Sequence, residues 1–285
     1  MPTNPPTEEK WVYLMTNITA LIMKKATGRV DHSKMKLGRL PAKNDPRTLH
    51  ITGYLADHPD HFLPEKWYWG EKVPPNRWGI MYNQRIEDCT CAAAGHFVMT
   101  WSSSTGRLVR PKNEVILETY RALTGYDPKT RKNDTGATVI DLLKYWRKYY
   151  IDGHKIMAFA RVDPKNHKQV RQTVYLFGGC YVGLNLPESA KKQAVWKVPP
   201  KGITGRGKPG SWSGHCVLII GYDPKGLQAV TWGKVKTMTW EFLETYCEEA
   251  YAVFSEDFVK NHHTPIGVNV EQLKTDVEKL RRENR

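Results

Sequence analysis

Two residues of complementary chemistry sit at element starts far apart in this chain. Cys89 opens an alanine-rich run, Asp88-Cys89-Thr90-Cys91-Ala92-Ala93-Ala94-Gly95-His96, and His215 opens an apolar one, Gly214-His215-Cys216-Val217-Leu218-Ile219-Ile220-Gly221-Tyr222. A thiol at a helix start and an imidazole at a distant strand start are the two halves of a cysteine nucleophile with its base, brought together only by folding. A helix N-terminus and a nearby imidazolium lower a thiol pKa from about 8.5, which makes the attacking thiolate available. Cys91 is the alternative nucleophile. At about 100° per residue the two thiols project to different sides of a helix, so one of them faces a cleft. Asp88 reads as the N-cap, which places Cys89 at the helix start. His96 is nearer in sequence but roughly 10 Å along the helix from Cys89, beyond hydrogen-bond reach. His215 is the expected base, Gly214 leaves room for a second chain to approach, and Cys216, on the opposite strand face, is expected in the core.

The elements that must position this pair are visible as patterns. Apolar spacing predicts helices over 89–101, 113–123 and 139–149, with Ser102-Ser103-Ser104-Thr105-Gly106 ending the first. Strands are expected over 155–162, 179–186, 216–222, 227–232 and 249–254, with short helices at 169–176 and 238–246. Helices first and a mostly antiparallel sheet second is an α+β arrangement. Residues 1–75, punctuated by nine prolines from Pro2 to Pro75, read as a basic extension with little regular structure beyond a helix at 11–25. Residues 76–260 form the body. Residues 261–285 carry Val270, Leu273, Val277 and Leu280 at helical spacing, a short amphipathic helix that docks on the body or meets a protein partner.

Composition narrows the classes. The chain has 285 residues, 40% of them hydrophobic, with ten Trp, fourteen Tyr and seven Phe, which supports a buried core and excludes disorder over most of its length. No run approaches the ~20 apolar residues of a membrane span. The apolar stretch 11–23 follows Glu8 and Glu9 and precedes Lys24 and Lys25, the wrong charge order for a secretory signal, so a cytoplasmic or virion-associated location is expected. Five cysteines without framework spacing indicate free thiols in reducing surroundings. A net charge of +14 implies attraction to a polyanion such as nucleic acid, anionic lipid or acidic cell-wall polymer. Much of the excess lies at Lys24, Lys25, Arg29, Lys34, Lys36, Arg39, Lys43 and Arg47, which reads as a solvated basic arm. Cys89 and Cys91 lack the gap of a zinc loop, and no phosphate-loop or dinucleotide fingerprint occurs. No metal or cofactor is expected, and the glycine-rich 202–210 reads as a cleft-side loop.

With Gln84 ahead of the cysteine helix, Gly178-Gly179-Cys180-Tyr181-Val182-Gly183-Leu184 after the helical lobe, the His215 strand, and Val230-Thr231-Trp232-Gly233 downstream, residues 78–258 resemble the papain-like cysteine peptidase superfamily. The wording around Cys89 is most similar to poorly characterised bacterial and phage members. The resemblance implies a papain-like fold and cleavage of an amide or peptide bond through a thioester, with Gln84, beside Asn83, donating to the oxyanion alongside the Cys89 backbone N–H. The family's imidazole-orienting Asn falls at Val230, which cannot accept a hydrogen bond, so either Thr231 substitutes or the pair works as a dyad. A peptide is the implied substrate, and a peptidoglycan-like stem peptide suits a basic protein. Two other classes stay open: a papain-like fold that has lost catalysis and serves as a structural or binding module, and a nucleic-acid-binding protein.

Overall fold

The computed structural model describes residues 31–56 and 63–258, together with Glu271, Lys274, Thr275, Glu278, Lys279 and Arg282 near the C-terminus. In chain order the elements are β1 (Leu49–His50), α1 (Ile51–Ala56), β2 (Trp67–Tyr68), α2 (Cys89–Thr105), α3 (Asn113–Thr124), α4 (Val139–Lys148), β3 (Ala158–Val162), α5 (His167–Phe177), β4 (Cys180–Leu186), β5 (Ser213–Asp223), β6 (Gly226–Thr231), β7 (Lys234–Met238), α6 (Trp240–Tyr246) and β8 (Cys247–Phe254). A helical lobe precedes a mostly antiparallel sheet, an α+β fold.

Helix α2 is the axis of the molecule. Every residue from Cys89 to Ser103 is buried, which a run of alanines, glycine and apolar side chains allows on all sides at once. It runs past the expected stop because Ser102, Ser103, Ser104 and Thr105 turn their hydroxyls back onto carbonyls three or four residues earlier, at 2.7–3.1 Å, and Gly106 closes it. One face packs on β5. On another, Phe97 lies 4.4 Å from Trp101, and Trp101 lies 5.5 Å from Trp146 of α4. Helix α4 starts under Thr138, whose side chain accepts from the Asp141 N–H, and buries Ile140, Leu143 and Trp146.

The sheet runs β1-β3-β8-β4-β5-β6-β7, with β2 paired to β5 off this path. Only β1–β3 is parallel among the named strands. The register that matters puts Leu184 opposite His215 and Leu218 opposite Val230.

Three expectations need correction. Residues 49–56 and 63–75 are not bare extension: Leu49, Ile51, Tyr54, Leu55, Trp69 and Val73 join the main core through β1, α1, β2 and the turn Trp69–Lys72. Strands of two residues carry no readable period, so only tertiary pairing reveals them. Strand β7 also escapes the sequence because Lys234 and Lys236 mask its alternation, and it takes Met238 from the expected helix, leaving α6 to begin at Trp240. Finally, Arg39 of the supposedly solvated arm is buried. The helix at 11–25 and the apolar positions Val270, Leu273, Val277 and Leu280 lie outside the described residues. Lys274, helical, pairs with Glu256 at 3.0 Å. Among the described residues, no helix is long and apolar enough to cross a membrane.

Candidate active site

Cys89 is the first residue of α2, and its Sγ accepts a hydrogen bond from the Cys216 N–H at 3.3 Å. The sulfur therefore rests against β5, one residue beyond His215. Cys91 is turned elsewhere, fully buried with its Sγ 3.9 Å from the Thr90 hydroxyl and close enough to Tyr145 of α4 to influence it. Asp88 precedes the helix but does not cap it. Its backbone (φ −96°, ψ 21°) is not extended, so neither carboxylate oxygen reaches an N–H with normal hydrogen-bond geometry, and burial raises its pKa well above the usual range, which the neighbouring Asn83 amide only partly offsets.

His215 Nε2 lies 2.7 Å from Thr231 Oγ1, and Nδ1 is buried without a partner. Val230 and Thr231 are consecutive on β6, so they point to opposite faces. Val230 enters the core, and Thr231 is the residue left to meet the imidazole. The ring of Trp232 stacks on that imidazole at 4.5 Å with 20° between planes, and Trp232 holds a positive φ of 45°, a conformation non-glycine residues adopt at a cost. His96, by contrast, is built into the helical side of the core, its Nε2 2.9 Å from the Gly79 carbonyl. Gln84 sits in the turn before α2 with its Oε1, an acceptor, buried and without a partner. Asn83 instead holds a crossing segment, accepting from the Lys36 N–H through its backbone at 3.3 Å.

That segment, residues 32–40, is the feature the sequence did not disclose. It passes between the lobes as a ribbon that turns at His32–Met35, where the Met35 N–H donates to the His32 carbonyl at 2.9 Å, and lacks helical structure beyond it. Gly38 and Arg39 both donate to the Gly214 carbonyl at 3.2 and 3.1 Å, while the Ala137 N–H donates to Gly38 and the Leu40 N–H to Ala137 at 2.9 and 3.0 Å. Trp232 Nε1 donates to the Lys36 carbonyl at 2.9 Å, and the His32 ring lies 4.9 Å from Trp232. A β-carbon at Gly214 would stand 2.0 Å from the Arg39 oxygen, and one at Gly136 2.0 Å from the Gly38 oxygen, so glycine at these two places is what lets the ribbon through.

Closure sets the electrostatics. Burial pushes the Cys89 thiol up to about 12, and Asp88 adds to this, against the opposing pull of the Cys216 N–H and the Arg39 charge. Burial, with the charges of Arg39 and His32, lowers His215 to about 3. At neutral pH the buried Cys89 is therefore a thiol and the buried His215 a neutral imidazole. Withdrawal of the ribbon would readmit water, and hydration favours the charged forms of both groups. Among the described residues no cluster of three metal-binding side chains occurs.

The sequence matches no family model and no curated protein. Solved structures do match. The chain is similar to xylellain, a cysteine protease from Xylella fastidiosa, with a TM-score of 0.55 at 16% identity over 80% of this chain and 98% of that one. It is similar to the cysteine protease and lectin-like domains of Cwp84, a surface layer associated protein of Clostridium difficile, with a TM-score of 0.53 at 11% identity over 92% and 62%. A third likeness is to procathepsin B S9 from Trypanosoma congolense, with a TM-score of 0.52 at 11% identity over 79% and 88%. The architecture carried by α2 and the sheet is that of the papain-like cysteine proteases.

Proposed function

We propose that the chain is a cysteine hydrolase that cleaves an amide or peptide bond through a thioester, with Cys89 as nucleophile and His215 as base. The observation that carries the reading is the placement of the Cys89 sulfur on the N–H next to His215, while His215 keeps Nδ1 free and commits Nε2 to Thr231. An Nε2–H donated to Thr231 leaves the lone pair on Nδ1, the tautomer a base needs. Nδ1 takes the Cys89 proton, the thiolate adds to the carbonyl carbon, and the Cys89 N–H and Gln84 amide stabilise the oxyanion. The C–N bond breaks as His215 returns the proton to the departing amine. Water, deprotonated by His215, then cleaves the thioester and restores the thiol. A peptide is the substrate, with a peptidoglycan-like stem peptide as one form of it, and the surplus positive charge serves attraction to an anionic polymer. Residues 32–40 must leave the cleft before turnover.

Iodoacetamide labelling and a fluorogenic peptide panel, read on the full chain and on Arg39→Ala, test this. Cys89→Ala should abolish both turnover and the fast-labelling thiol. If Arg39→Ala turns over no peptide and labels Cys89 no faster than the buried Cys180, the fold serves as a binding module instead.

A further inference from the structure

The residue that anchors the ribbon in the cleft is Arg39, and the place it occupies receives the two terminal nitrogens of its guanidinium, while Nε is buried without a partner. Its Nη1 lies 3.1 Å from Glu249 Oε1 and 2.7 Å from Glu248 Oε2, and donates to the Leu40 carbonyl at 3.1 Å, while Nη2 donates to Asn185 Oδ1. Glu249 is fully buried and held from behind by Tyr251, whose hydroxyl donates to Oε2 at 3.1 Å. Gly183 makes the wall: a β-carbon there would fall 2.6 Å from Arg39 Cδ and 2.7 Å from Glu249 Cγ, filling the slot the arginine uses. A carboxylate in the interior with no cation would be strongly destabilising, so the slot is chemically incomplete without a positive side chain. The backbone of Arg39 meanwhile donates to Gly214, the neighbour of His215. Any peptide laid along Gly214 and Ala137 in the ribbon's place would send one side chain into the same slot.

We propose that Glu249, Glu248 and Asn185 form the side-chain specificity pocket of the cleft, that Arg39 fills it in the closed chain, and that substrates are peptides presenting an arginine to it. The two terminal nitrogens of a guanidinium divide between the carboxylates of Glu248 and Glu249 and the amide oxygen of Asn185, whereas a lysine ammonium is a single point charge and an apolar side chain leaves Glu249 unpaired. The pocket names the substrate class of the hydrolase proposed above, and rests on that reading only where turnover is concerned.

Two arms test it on the full-length chain. The first is binding alone: Arg39→Ala with agmatine, butylamine or norleucine amide, read by thermal shift. Agmatine should raise Tm well beyond butylamine, and Arg39→Ala/Glu249→Leu should lose that difference. Equal shifts from agmatine and butylamine would overturn the pocket. If Arg39→Ala is obtained only unfolded, refolding with agmatine but not butylamine counts as the same positive result, and refolding with neither counts against it. The second arm is turnover by Arg39→Ala of fluorogenic peptides with arginine, lysine or leucine scanned through the residues before the cleaved bond. Arginine should exceed leucine by about tenfold or more at one position, and Glu249→Leu should reverse the order. A flat scan with active enzyme overturns the specificity and leaves the hydrolase. A positive agmatine shift with no turnover of any peptide removes the hydrolase and leaves the pocket.

Discussion

Thr231 and His215 share a buried hydrogen bond of 2.7 Å in which one hydroxyl does the work of orienting a ring. Thr231→Val keeps the shape and removes the acceptor, so it should lower kcat by roughly ten- to a hundredfold, the equivalent of one lost buried hydrogen bond, with little change in KM. Thr231→Asn should retain more activity than Thr231→Val in the same assay. The two candidate thiols separate as sharply. Cys91 lies fully buried beside Thr90, away from the Cys216 N–H that touches Cys89. Cys91→Ala should keep turnover within about threefold of the parent, a loss of packing alone rather than of chemistry. Loss of activity in Cys91→Ala with retention in Cys89→Ala would invert the assignment.

At the scale of elements, the ribbon at 32–40 and helix α2 are opposites. The ribbon is held by backbone hydrogen bonds to Gly214 and Ala137 and by one buried arginine, contacts that a competing peptide could replace one for one. Gly214→Ala places a β-carbon on the Arg39 oxygen and should displace the ribbon, speeding iodoacetamide labelling of Cys89 at pH 8 by about tenfold or more as the thiol becomes hydrated. Unchanged labelling would mean that the ribbon does not govern access. Helix α2 has no such alternative partner. Trp101 fills the space between Phe97 and Trp146 and donates from Nε1 to the Phe177 carbonyl at 2.8 Å, so Trp101→Ala should cost about 3–5 kcal/mol in urea unfolding.

For the whole molecule, burial of neutral histidines makes stability depend on acid. His96 falls from 6.5 to about 4 because of burial, against the help of the Gly79 and Trp78 carbonyls. Between those values the unfolded chain binds a proton that the folded chain refuses, so stability is lost as pH drops from about 6.5 toward 4, by up to about 3 kcal/mol from this residue. His96→Gln should flatten that part of the Tm-against-pH curve. Asp88, whose raised pKa acts in the opposite direction, is untouched by the substitution, so the difference between the two curves isolates His96. What the amino-acid order determined by itself was the set of long elements: the alanine run after Cys89 and the apolar strand after His215 act over a few residues, and their patterns survive without a structure, whereas Asp88, read as a cap, does not act as one. Thr231 could be named beside Val230, but strand register alone turned it to the imidazole. The two-residue strands, lysine-masked β7, the ribbon and the Arg39 pocket belong to the tertiary structure. Arg39 and Glu249 are 210 positions apart, and within a run of eight cationic side chains nothing marks one as buried until the fold supplies the carboxylate that makes its burial tolerable.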